Sequence, residues 1–199
     1  MLKEMAKKAM KPKPFLLVLS APSGGGKTTL CGQLLKSLPW LKRCVTATTR
    51  LPRKGEKNGR DYWFLSEAEF KARARARGFF EWARVHGHYY GTPRKEVETS
   101  LTKGQSLVLV IDVQGGRQVK RKSDKALLVF LLPPSLAALE RRLHARGQDA
   151  KEVVARRLRN ARREVKQARF YDYVVVNDRL PHAVGHVVDI ARAARWRQA

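Results

Sequence analysis

Cysteine is nearly absent from this chain: Cys31 and Cys44 are the only two in 199 residues. Neither has a second thiol or a histidine at metal-ligand spacing, which excludes a disulfide framework and a thiolate zinc site. Both are expected as small buried apolar groups, in a reducing, cytoplasmic setting. Acidic residues are scarce as well, with 17 against 42 lysines and arginines, leaving a formal charge of +25. No apolar run approaches the roughly 20 residues that a spanning helix needs, so no membrane association is expected. Residues 1–14 form a basic tail with five lysines against Glu4. That tail lacks the apolar core and cleavage site of a secretory signal. Aromatic residues make up 8% of the chain, and no aromatic RNA-binding signature, helix-turn-helix pattern or zinc spacing accompanies the positive charge. Polyanionic ligands are implied, with nucleic acid expected only as a non-specific electrostatic partner.

The length suits one well-packed core and is too short for two ordinary domains, so any second unit is expected as an insertion. Phe15 to Leu19 is a short continuous apolar run of the kind buried on both faces of a parallel sheet. Further buried strands are predicted at Ser106 to Asp112, Ala126 to Leu132 and Tyr173 to Val176. Helices are predicted after the first run, with Leu30, Leu34, Leu35 and Leu38 on one face, and over about 93–103, 135–146, 150–169 and 181–196. Pro133 and Pro134 stop a strand, Ser135 reads as an N-cap and Gly147 as a helix stop. Between Cys44 and Tyr90 the rhythm breaks into turn signals and short aromatic runs, read as an inserted, partly antiparallel subdomain. The fold class is therefore α/β, with three layers and a mostly parallel central sheet.

Between the first strand and its helix, Ala21 to Thr28 matches the P-loop pattern at every position but the first, where alanine stands for glycine. Ser23, Gly24, Gly25 and Gly26 let consecutive N–H groups converge at the positive end of a helix, a nest for a triphosphate. Lys27 is expected on the β and γ oxygens of ATP, with Thr28 helping to hold Mg²⁺ and Thr29 beside it. An apolar strand ending in an acid belongs to the same machinery, and Leu107 to Asp112 supplies it. Asp112 has a second reading, as a cap for the turn that follows. A P-loop names the donor and leaves the acceptor open.

The acceptor is indicated by Thr46-Ala47-Thr48-Thr49-Arg50-Leu51-Pro52-Arg53 through Arg60-Asp61-Tyr62, a run that closely resembles the GMP-binding signature of guanylate kinases. Phe79 to Ala83, His88 to Thr92, Ile111 to Gly115, Pro133 to Ser135, Arg141 to Leu143 with Arg146-Gly147, and Val176 to Asp178 match family motifs in order, from Phe15 to Trp196. The resemblance implies transfer of the ATP γ-phosphoryl group to GMP or dGMP in a P-loop NTPase-like fold. It divides the chain into a core (about 15–43, 91–134 and 170–199), a GMP-binding insertion (about 44–90) and a helical lid (about 135–169). It implies Arg50, Arg53, Tyr62 and Tyr90 on the GMP phosphate, Glu81 on guanine N1–H and the exocyclic amine, and Thr46 and Thr92 towards O6. Asp112 joins that region, Asn177 lies near the adenine, and Arg142, Arg146 and Arg157 belong to the lid that bears on the transferring group. The residue types suit a dianionic phosphate and a guanine edge on physical grounds.

Two positions depart from the family pattern. Val110 stands where relatives carry an acid, and Ala47 replaces a hydroxyl residue. Two alternatives are weighed: a guanylate-kinase-like module that binds phospholigands without catalysis, and a related sugar-phosphate kinase. The intact Gly26-Lys27-Thr28 argues against the first, and Glu81 with the Arg50 to Tyr62 run against the second. His86 and His88 read as loop residues beside the pocket. Oligomeric state is left as monomer or homodimer.

Overall fold

The structure is a computed structural model that describes Met1 and residues 11–144 and 151–196. Its centre is a five-stranded sheet in the order β2-β7-β1-β8-β9, all neighbours parallel. The strands are β1 (Leu16–Ser20), β2 (Leu41–Arg43), β7 (Ser106–Val110), β8 (Ala126–Leu132) and β9 (Tyr173–Val176). Every residue of β1 is buried. Leu17 and Leu19 face one side and Leu16 and Val18 the other, as the two-residue period of a strand requires. The first face packs on α1 (Lys27–Ser37) and α7 (Leu180–Arg195), through Leu30, Leu34, Val184 and Val187. The second packs on α3 (Arg94–Thr102) and α4 (Val113–Lys122), through Val97 and Val119. Each fully buried aliphatic side chain contributes about 1.5–3 kcal/mol, so the apolar runs dictate a sheet covered on both faces.

A second sheet, in the order β4-β3-β6-β5, is built from β3 (Ala47–Thr48), β4 (Trp63–Phe64), β5 (Phe79–Val85) and β6 (His88–Pro93). Its β3–β6 and β5–β6 pairs are antiparallel and β3–β4 is parallel. The β5–β6 hairpin turns at His86 and Gly87, whose φ values of 51 and 91° mark a type I′ turn. Helix α2 (Glu67–Arg75) starts on a capping box of Ser66 and Glu69 and sends Phe70 against Phe79 and Tyr89. Two further helices, α5 (Leu136–His144) and α6 (Lys151–Val165), pack together through Leu139, Leu143 and Ala161. Ser135 caps α5 by accepting from Ala138 N at 3.0 Å.

Strand β2 and helices α2 and α4 were not predicted from the sequence, and two boundaries differ from expectation. The segment predicted as one helix to Arg169 leaves α geometry at Val165 and tightens into a 3₁₀ turn, Lys166–Phe170. That turn delivers Tyr171 onto Phe130, at 5.2 Å between ring centres, just before β9. Strand β7 ends at Val110, two residues before the predicted Asp112, because Asp112 leaves the ladder to cap α4. The predicted stop at Gly147 lies outside the described residues.

Candidate functional site

The glycine loop joins β1 to α1 at the carboxyl end of the parallel sheet. Gly24 and Gly26 have φ values of 87 and 90°, conformations closed to most side chains. A Cβ at Gly24 would lie 2.8 Å from Leu143 Cδ2, and one at Gly26 would lie 2.7 Å from Asn177 Nδ2. Both glycines are therefore required by backbone conformation, and a side chain at either would also displace Leu143 or Asn177. Gly26 caps α1 without any side-chain hydrogen bond, which leaves the first-turn amides for an anion. Lys27 Nζ donates to Ala21 O at 2.6 Å, so the ammonium lies folded over its own loop. Asn177, buried at the end of β9, donates from Nδ2 to Gly25 O at 3.0 Å. Arg142 of α5 donates in turn to Asn177 O at 2.8 Å. Ser23 N donates to Glu164 Oε2 of α6 at 3.2 Å.

Facing this loop, the second sheet and its connecting segment gather a cationic and phenolic wall. Arg50 lies 5.5 Å from the Tyr62 ring centre, and Tyr62 meets Tyr90 edge-on at 6.1 Å. Both oxygens of Glu56 accept from Arg50 Nη2 at 2.9 Å, and Glu56 also accepts from Arg53 N at 2.7 Å. One carboxylate thus folds the Arg50–Arg53 segment and aims its guanidinium. Thr48, fully buried, accepts from Arg50 N at 3.1 Å.

Glu81 is 2% exposed and its Oε1 accepts from Thr92 Oγ1 at 2.6 Å. Burial pushes its carboxyl up to about 7, the charge of Asp112 adds to the rise, and the Thr92 hydroxyl opposes it. A Cβ at Gly115 would overlap Glu81 Oε2, so the first turn of α4 passes directly against the carboxylate. Asp112 Oδ1 accepts from Gly115 N at 2.9 Å. Asp112 thus caps α4 and also stands on the cleft wall.

One cleft of about 210 Å³ joins the two walls. Of the donor-side residues expected from sequence, Ser23, Gly24, Gly25, Gly26, Lys27 and Thr28 line it; of the acceptor-side ones, Thr46, Arg50, Arg53, Tyr62, Glu81, Tyr90 and Asp112 do. Arg157 of α6 reaches the same space. Thr92 is fully buried and touches Glu81 instead. Asn177 and Arg142 brace the loop through the bonds given above, and Thr29 is exposed on α1, off the lining. Arg146 lies outside the described residues. Val110 and His86, the latter at the hairpin turn, also line the cleft. Partial burial holds His86 below its ordinary value, with Arg157, Arg156 and Lys27 adding to the effect and Glu164 opposing it. Sequence reasoning missed Glu56 and Glu164. The first had a signal in its place three residues after Arg53, and the second had none, because its partner is a main-chain amide far away in the sequence.

The family model described as guanylate kinase matches residues 13–194. A guanylate kinase of Geobacter metallireducens is 43% identical, over 94% of this chain and 93% of its own length. One of Syntrophotalea carbinolica is 46% identical, over 94% and 90%. The crystal structure of guanylate kinase from Anaplasma phagocytophilum superposes with a TM-score of 0.81 at 33% identity, covering 96% of this chain and 90% of that one.

Proposed function

Because the chain belongs to the guanylate kinase family, we propose that the cleft transfers the γ-phosphoryl group of ATP to GMP or dGMP, giving ADP and the corresponding diphosphate. The observation that carries this reading is the pairing of walls: a main-chain nest with Lys27 on one side, guanidiniums, phenols and a buried carboxylate on the other. The attacking oxygen belongs to an acceptor phosphate that is already ionised, so no protein base is needed. Arg50, Arg53, Tyr62 and Tyr90 hold that phosphate, and Lys27 with the loop amides holds the donor. Holding the two in line removes much of the entropic barrier. Glu81 accepts the two guanine donors, whereas adenine would set a ring nitrogen against the carboxylate.

Mg²⁺ suits the donor set. Among the described residues no cluster of three or more His, Cys, Asp or Glu is placed to hold an ion. The chain offers the Thr28 hydroxyl, which fits a hard cation taking most of its ligands from nucleotide oxygens. When bound, the ion neutralises charge on the phosphoryl oxygens. In the same reading the first sheet is the core, residues 44–90 form the acceptor subdomain, and α5 and α6 form the lid, with Arg157 bearing on the transferring group. Among the described residues no helix is long and apolar enough to cross a membrane. Two buried thiols support a cytoplasmic setting.

A coupled assay offering GMP, dGMP, AMP and ribose bisphosphate with Mg-ATP tests the reading. Turnover with the two guanine nucleotides and little with AMP is expected. Turnover with the sugar phosphate alone, or phospholigand binding without turnover, would overturn it.

A further inference from the structure

We infer that Glu164 is a positioning residue that clasps helix α6 to the glycine loop and so sets where Arg157 stands. The inference rests on the reading above that Arg157 works over the donor. Helix α6 carries Arg156, Arg157, Arg159, Arg162 and Arg163, and an acid among them has many guanidiniums within reach. Yet among the described residues Glu164 forms no ion pair with its own helix, and its Oε2 accepts from Ser23 N at 3.2 Å. In a chain of net charge +25, an anion turned towards a triphosphate site works against affinity unless it serves another purpose.

The choice of amide supplies that purpose. Ser23 precedes the two left-handed glycines, and the bond takes only this entry amide. The amides of Gly24, Gly26 and the first turn of α1 are left for phosphate, so clasp and nucleotide are compatible. Arg157 and Glu164 are seven residues apart, two turns of helix or about 10.5 Å along one face. Both line the cleft. Fixing Glu164 to the loop therefore fixes the height and rotation of α6 at Arg157. The neighbouring helix has its own tie, through Arg142 to Asn177 O, Asn177 to Gly25 O, and Leu143 packed over Gly24. Loss of the Glu164 bond accordingly loosens α6 from the glycine loop, while α5 keeps its own ties to that loop and α6 keeps its packing on α5.

The test compares Glu164→Ala, Glu164→Gln, Arg157→Ala and the Glu164→Ala/Arg157→Ala pair in the full chain, with steady-state kinetics and amide hydrogen exchange. Glu164→Ala is expected to lower kcat about ten- to a hundredfold, the usual effect of a misplaced charged group, with KM for GMP unchanged. Glu164→Gln keeps an oxygen that accepts from Ser23 N, and should recover to within about fivefold of the parent enzyme. In the Arg157→Ala background the alanine at 164 should cost less than about twofold, because the two residues act as a unit. Exchange should accelerate in α6 and stay unchanged in α5. Parent kcat in Glu164→Ala, or equal losses in both backgrounds, would each overturn the clasp. Full activity of Arg157→Ala would instead overturn the lid reading, and the exchange pattern then decides the clasp by itself.

Discussion

A carboxylate as deeply buried as Glu81 has its proton affinity set by its surroundings, and here burial raises it to about 7. A folded-state value above the ordinary 4.5 means that the stability contributed by this group is fully present below about 4.5 and is lost as pH rises through about 7. In the proposed reading the ionised form is the one that accepts both guanine donors. Binding and stability therefore pull in opposite directions at this residue. Glu81→Gln keeps an acceptor for Thr92 Oγ1 and removes the buried charge. It should stabilise the protein by about 1–3 kcal/mol near pH 8 and give no gain near pH 4.5. It should also raise KM for GMP at least tenfold with ATP affinity unchanged, and abolish the fall in GMP affinity expected of the parent protein below about pH 7. Paired thermal melts and titration calorimetry at the two pH values check both halves; equal GMP affinity would remove Glu81 from the site. Lys27 lies folded onto Ala21 O, and in the proposed reading it meets the donor phosphates. Lys27→Ala should cut kcat by about three orders of magnitude while GMP still binds, and an active variant would break the donor assignment.

At the scale of elements, β1, β7, β8, β9, α1, α3 and α7 were readable because apolar runs and helical spacing register burial directly, whereas the three-residue β2 and the short α4 carry too little apolar pattern and were not predicted. The glycine loop was readable because its backbone needs have few sequence solutions. What could not be read is how elements meet. Asn177 is buried and braces Gly25 from the end of β9. Thr92, expected towards the base, stands behind Glu81 and orients it. Glu56 shapes the Arg50–Arg53 turn from inside the segment. Each of these roles depends on pairings between distant strands or loops, which no local pattern encodes. The brace can be tested. Asn177→Ala removes a hydrogen bond to a buried carbonyl and opens space beside Gly26, and should cost about 1–3 kcal/mol of stability. It should raise KM for ATP several-fold and leave KM for GMP unchanged, since the acceptor wall hangs on the other sheet. A parallel rise of both constants would show that Asn177 supports the fold as a whole and not the loop.

For the molecule as a whole, the excess of positive charge exceeds what one cleft uses. Arg141, Arg156, Arg159, Arg162 and Arg163 are exposed and, among the described residues, none reaches a carboxylate. Like charges spaced along one helix repel one another, and exposed pairs are screened by salt over about 10 Å at 0.1 M. Two consequences follow from the same field. Raising salt from about 0.02 to about 0.3 M should lift the thermal midpoint, because self-repulsion in the compact state weakens. The same change should weaken binding to random-sequence DNA, because each neutralised phosphate releases a counterion and contributes about 0.9 to the slope of log K against log salt. With several guanidiniums on one helix face, a slope of about −4 or steeper is expected in fluorescence anisotropy, with no preference among sequences. A charge-reversed variant carrying Glu at 156, 159, 162 and 163 should lose that binding and keep GMP affinity, which belongs to the opposite wall of the cleft. A shallow slope, or sequence preference that survives high salt, would mean that this face reads bases and is not simply a screened field.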